Sequence, residues 1–283
     1  MSILKIAGVF VIAFALNIGS QLLLSLMLNL TQAFGDLPSL AVSAVIAVVV
    51  AVLGVVVFNR FVLNRALGSI SGANNGHIVP VVALWFLIGL SLIWAVMFIF
   101  WIMGLGSFQG YNDATLAYGL GVSICVAVFS GVTEEVLYRY LFYGYMRRVI
   151  SKMWAALICG VVFGALHLPQ VTNALDGFVL IVAAVGVTFL FVAIYEYTNT
   201  IWAPAAVHVA WNMFAIKYGF IITNGFDDHA NTMAAYAGFH VQSTNKLLVG
   251  GSFGVEQSAV AIALYFVTAT LIWRLSSSAK FKS

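Results

Sequence analysis

The chain contains four glutamates, and two of them, Glu134 and Glu135, are adjacent, with Arg139 four residues further on. They sit in the run Phe129-Ser130-Gly131-Val132-Thr133-Glu134-Glu135-Val136-Leu137-Tyr138-Arg139-Tyr140. Downstream, Phe163-Gly164-Ala165-Leu166-His167 places a histidine one helical turn after an aromatic. Further on, His208-Val209-Ala210-Trp211-Asn212 places a histidine and an asparagine on a single helical face. A carboxylate and a neutral imidazole can together take a proton from water, preparing it to attack a carbonyl. A second imidazole and an amide NH₂ are donors suited to a developing oxyanion. Within the acidic pair, Glu135 and Arg139 are i,i+4 partners for an ion pair along one face. Glu134 points about 100° away and stays free for water or substrate. This inventory describes amide hydrolysis without a covalent nucleophile.

The elements that must position these groups are membrane helices. Of 283 residues, 63% are hydrophobic and 7% charged, with mean hydropathy +1.07. A globular domain is nearer half apolar and a quarter charged. Several stretches exceed the roughly 20 residues that cross a bilayer as a helix, and they lack the alternation of barrel strands. The expected class is an all-α polytopic bundle of about eight transmembrane helices: 3–30, 39–58, 80–105, 115–145, 153–168, 177–196, 200–222 and 255–274. Breakers separate them at Gly35-Asp36-Leu37-Pro38, Gly72-Ala73-Asn74-Asn75-Gly76, Gly110-Tyr111-Asn112-Asp113 and Leu168-Pro169. The first span follows Lys5 and is too long for a signal-peptide core, so it reads as an uncleaved helix.

Nine of the twelve basic residues, Lys5, Arg60, Arg65, Arg147, Arg148, Lys152, Arg274, Lys280 and Lys282, fall on one side if the N-terminus is cytoplasmic. Both termini then face the cytoplasm, and Lys217 and Lys246 fall at or beyond the outer end of the seventh span. A net charge of +3, dispersed in this way, excludes a nucleic-acid partner. Cys125 and Cys159 lie within apolar segments and read as free thiols. Three regions are expected: N-terminal helices of unassigned role (1–114), a catalytic core (115–222), and an outer loop with the last helix (223–283).

Depth tests whether the polar groups can meet. Glu134 lies about 20 Å up its helix from Arg147, His167 about 22 Å up the next from Lys152, and His208 and Asn212 about 12 and 18 Å above Thr200, at 1.5 Å per residue. The three helices can aim at one point below the surface.

Taken in order on successive helices, Glu134-Glu135-x-x-x-Arg139, Phe163-x-x-x-His167 and His208-x-x-x-Asn212 resemble the CPBP family of intramembrane proteases. That family includes type II CAAX prenyl endopeptidases and bacterial relatives tied to bacteriocin processing, self-immunity and lysostaphin resistance. The resemblance covers about residues 115–222. It implies that Glu134 and His167 activate water, that His208 and Asn212 form the oxyanion site, and that Glu135 and Arg139 support them. It implies a multi-pass plasma-membrane enzyme of bacterial type, acting on a membrane-associated peptide or protein within the lipid bilayer. The family's mechanism has been argued as glutamate-dependent and as metal-dependent. No cofactor is expected here; zinc on Glu134, His167 and His208 is the alternative.

Two other classes use the same residues. A transporter or proton relay would spread polar groups along a pathway, whereas these gather at one depth. A non-catalytic immunity or scaffold protein would need no activated water. Phe163 is expected only to pack, and Glu196 and Glu256 to sit at span ends where charge is cheap. His77, His229 and His240 read as loop histidines, and Asp227-Asp228-His229 as a solvated loop.

Overall fold

In a computed structural model, residues 3–31, 33, 35–65, 67–72, 77–108, 113–215, 221–223, 239–251 and 253–280 are described. Asp227, Asp228, His229, Lys217, the 73–76 turn and residues 110–112 lie outside them. The chain forms helices α1 (Ile3–Thr31), α2 (Asp36–Phe61), α3 (Ile78–Ile102), α4 (Asp113–Glu134), α5 (Lys152–His167), α6 (Ala174–Thr198), α7 (Trp202–Ala215), α8 (Lys246–Val249) and α9 (Ala259–Lys280). The protein is a nearly all-α polytopic membrane bundle, and among the described residues seven helices are long and apolar enough to cross a bilayer. Their large apolar side chains, such as Leu22, Leu26, Val49, Leu53, Leu87 and Phe98, face outward, which suits a hydrocarbon solvent rather than water.

Helix ends follow local chemistry. The Ser151 hydroxyl caps α5 by accepting from Trp154 N–H, and Asn173 caps α6 by accepting from Asp176 N–H. Helix α6 stops at Asn199 in the left-handed conformation, φ 53°. Pro169, in the short 3₁₀ turn Leu168–Gln170, cannot continue α5, so His167 is the last α-helical residue.

Three expectations are corrected. First, the fourth span is not a uniform α-helix. From Glu135 to Tyr143 it winds as a π-helix in which all nine residues are buried, and Gly144 N–H bonds back to Arg139 O. A π segment places more residues in each turn, and such segments concentrate at functional sites. Second, the seventh span does not run as helix to residue 222: α7 is described from Trp202 to Ala215, and Ile221–Thr223 is a strand. Helix α7 is wrapped by its neighbours, with Ala203 to His208 and Ala210 to Asn212 all buried. Third, a small sheet joins the loops. Strands β1 (Gly106–Phe108), β2 (Ile221–Thr223) and β3 (Phe239–Val241) lie in the order β1-β3-β2. The β1/β3 pair is antiparallel and β2/β3 parallel, so His240 belongs to a strand rather than a loop.

Helix α7 carries His208 and Asn212, and two glycines grip it. A Cβ on Gly89 of α3 would come within 2.8 Å of the Val207 Cα and carbonyl oxygen. One on Gly131 of α4 would come within 2.9 Å of Val209 N. Small residues let membrane helices approach backbone to backbone, and His208 lies between the two grips. Gly89→Ala and Gly131→Ala should each destabilise the fold by about 1–3 kcal/mol through overpacking, measured by thermal unfolding in detergent. Gly8→Ala, where nothing lies within 4 Å, should be silent.

Candidate active site

The site is built around one buried anion. Glu135, at the first π turn, is fully buried, and its Oε1 lies 3.0 Å from Arg139 Nη1. An ion pair with both side chains at 0% exposure survives only if its remaining polar surface is matched. Arg139 Nη2 donates to Thr188 Oγ1 at 3.1 Å. Its guanidinium lies 4.2 Å from the Phe163 ring centroid and 5.1 Å from that of Phe191, so aromatic faces stand where water would. Phe163 does more than pack: besides this ring, its carbonyl holds His167.

The same Glu135 Oε1 lies 2.9 Å from His208 Nδ1. A carboxylate only accepts, so Nδ1 carries the proton and Nε2 faces the open side. The His208 ring stacks on Phe191 at 4.9 Å between centroids, 28° from parallel. Glu134 Oε2 lies 3.7 Å from His208 Nε2. The two acids differ in access, since the Glu134 side chain is 18% exposed and that of Glu135 is 0%. Glu134 is therefore the carboxylate a solvent molecule can reach.

His167 ends α5 with Nδ1 2.8 Å from the Phe163 carbonyl. A carbonyl cannot donate, so Nδ1 is the N–H and Nε2 of the neutral ring is left as an acceptor. Asn212 donates from Nδ2 to Ser130 Oγ at 2.9 Å. The Ser130 hydroxyl spends its own proton on Val126 O at 2.9 Å, which fixes the amide orientation. One Nδ2 hydrogen remains free, and buried Asn212 Oδ1 has no hydrogen-bond partner among the described residues.

Glu256 overturns its sequence-based placement. It lies on the 3₁₀ turn Val255–Gln257 ahead of α9, half-buried rather than at a free span end. Burial pushes its carboxyl above the ordinary range, His208 and His167 hold it back, and Glu134 adds to the rise. Glu196 is likewise no free end charge: it is half-buried and paired with Arg147 and Lys152, and it accepts from Tyr143 Oη at 3.1 Å. Ser130, Thr188, Phe191 and Glu256 were not singled out by the motifs. Ser130, one turn before Glu134, and Thr188, the lone hydroxyl in an apolar run of α6, were the available signals.

Among the described residues no three His, Cys, Asp or Glu side chains converge as a metal-binding group.

A family profile described as Type II CAAX prenyl endopeptidase Rce1-like matches residues 116–214, which contain every motif residue. The chain is 27% identical over 146 residues to "Putative membrane peptidase YdiL" of Bacillus subtilis (strain 168), covering 46% of this chain and 57% of that protein. It thus spans little more than half the length of that curated relative. No solved structure matches.

Removing the guanidinium should strand a buried carboxylate. Arg139→Met is expected to cost about 3–5 kcal/mol, read as a lowered melting temperature. Glu134→Gln, at a partly exposed acid with no buried counter-charge, should leave melting nearly unchanged.

Proposed function

We propose, from the premise that the chain carries an Rce1-like domain of the type II CAAX prenyl endopeptidase family at residues 116–214, that it is an intramembrane endopeptidase hydrolysing a peptide bond near the membrane. The observation that carries the reading is the division between the two acids. Glu135 is consumed by Arg139 and His208, while Glu134 faces accessible space 3.7 Å from His208 Nε2.

In this reading Glu134 and the bare Nε2 of His167 share a water and remove its proton as the oxygen attacks the scissile carbonyl. The carbonyl oxygen becomes an oxyanion that accepts from the free Asn212 Nδ2 hydrogen and from His208 Nε2. Because His208 Nδ1–H is committed to Glu135, donation from Nε2 requires the imidazolium, and Glu134 and Glu135 flank that charge. Collapse of the tetrahedral intermediate breaks the C–N bond, and the proton taken from water passes to the departing amine. No step is routed through a metal.

The substrate class is a membrane-associated peptide or protein. The basic bias supports cytoplasmic termini, the family likeness supports a bacterial-type plasma membrane, and substrate access from the cytoplasmic face is the reading that bias favours.

The test uses the purified full-length protein and a peptide library. Glu134→Gln should lower kcat by about 10²–10⁴, and Asn212→Ala by about 10²–10³. Full activity in Glu134→Gln would reject the reading in favour of a binding or immunity role. Loss of activity on chelation, restored by zinc, would replace the metal-free route with a metalloprotease.

A further inference from the structure

Helices α4 and α7 meet along two rungs. Glu134 Oε2 of α4 lies 3.7 Å from His208 Nε2 of α7, and one turn away Ser130 Oγ of α4 lies 2.9 Å from Asn212 Nδ2 of α7. Residue numbers fall along α4 as they rise along α7, so the two helices run antiparallel at this contact. Each rung-to-rung step is one i,i+4 interval, about 6 Å of rise on either helix, so the two rungs stay in register. Gly131 and Val209 lie between the rungs in sequence, and a Cβ on Gly131 would come within 2.9 Å of Val209 N. That close backbone approach is what brings the short serine side chain within reach of the amide.

The first rung belongs to the chemistry proposed above, whereas Ser130 on the second lies outside the Glu134-Glu135-x-x-x-Arg139 motif. A hydroxyl owns one hydrogen and two lone pairs. Ser130 directs its hydrogen at Val126 O, 2.9 Å away in its own helix, a back-bond that serine makes readily within a helix. Asn212 therefore meets a lone pair, to which only the NH₂ side of its amide can donate. Turned over, the amide would present Oδ1 to Ser130, and one hydrogen would have to serve both Oδ1 and Val126 O. The arrangement in the structure makes two hydrogen bonds where the reversed one makes one. Reversal would also carry the NH₂ to the buried position where Oδ1 has no partner among the described residues.

The two ends of an amide act oppositely on a developing oxyanion: an Nδ2 hydrogen stabilises it, and Oδ1 in the same place would repel it. The acceptor that selects the NH₂ end stands on α4, the helix that also carries Glu134. The acid that holds the water and the group that orients the oxyanion donor are thus one turn apart on a single helix. Their separation is set by helical geometry rather than by a loop, which suits a site that tolerates little displacement.

We propose that Ser130 is a positioning residue of the catalytic site, which holds the Asn212 amide with its NH₂ end, not Oδ1, available to the oxyanion. This rests on the protease reading above, and Glu134→Gln in the same assay separates the two. Ser130→Ala is expected to lower kcat roughly 10- to 100-fold with KM little changed, as a small misplacement of a catalytic group does. Ser130→Thr, which keeps the hydroxyl, should recover most of the rate. In an Asn212→Ala background, adding Ser130→Ala should change kcat by less than about twofold, because the group it orients is gone. A fold defect would instead lower the rate by the same factor in both backgrounds, and that result overturns the role. Equal losses in the Ala and Thr variants also overturn it, as does wild-type kcat in Ser130→Ala with Glu134→Gln inactive. Full activity in Glu134→Gln removes the reading beneath it.

Discussion

A carboxylate without water must be matched by a cation, and the Glu135–Arg139 pair is where this bundle meets that demand. The match passes along a chain of groups. Arg139 neutralises Glu135 but is dehydrated itself, so it needs the Thr188 hydroxyl and the faces of Phe163 and Phe191. Glu135 in turn retains capacity on Oε1 to fix His208. Helices α5, α6 and α7 are thereby tied to the π segment through one ion pair. Such a pair need not add stability, because desolvation offsets much of its attraction. What it adds is position: four elements share one arrangement in which the two charges are paired.

The pairing also separates two neighbours of identical chemistry. Glu134 and Glu135 differ by one residue, yet one is sealed and the other meets accessible space. In an α-helix the angle between them already parts their faces. The change to π winding at Glu135 carries Arg139 and every later residue of the segment into the interior, leaving Glu134 at the last α turn to face the cavity side. The break in helical rule coincides with the functional pair, which is where π segments tend to be retained.

Much of this was legible in the residues. Apolar runs located the helices, and i,i+4 spacing predicted the Glu135–Arg139 pair that the structure contains. The limits have physical causes. Depths computed at 1.5 Å per residue assume uniform α winding, and no local signal at 135–143 announces π hydrogen bonding, which depends on what the segment packs against. The strand at Ile221–Thr223 was hidden because residues 200–222 read as one apolar span. Thr188 and Phe191 fell in an apolar helix with no motif, and Glu256 seemed an end charge because sequence distance conceals that its turn folds back over His167.

That fold-back bears on how a buried inner helix can hold a precise site. Gly89 and Gly131 fix α7 laterally by backbone approach, and Glu135 fixes the His208 ring from one nitrogen. Neither restrains the side from which solvent and substrate arrive. Rings with one nitrogen bound and the other facing a cavity retain freedom to tilt, and oxyanion stabilisation is sensitive to displacements of an ångström or less. The turn carrying Phe253 lies against the His167 ring, and its Gly251 packs close to Asp176 at the start of α6, the helix that supplies Thr188 and Phe191. The interior face and the open face of the site are therefore referred to the same helix, so a displacement of α6 moves both together.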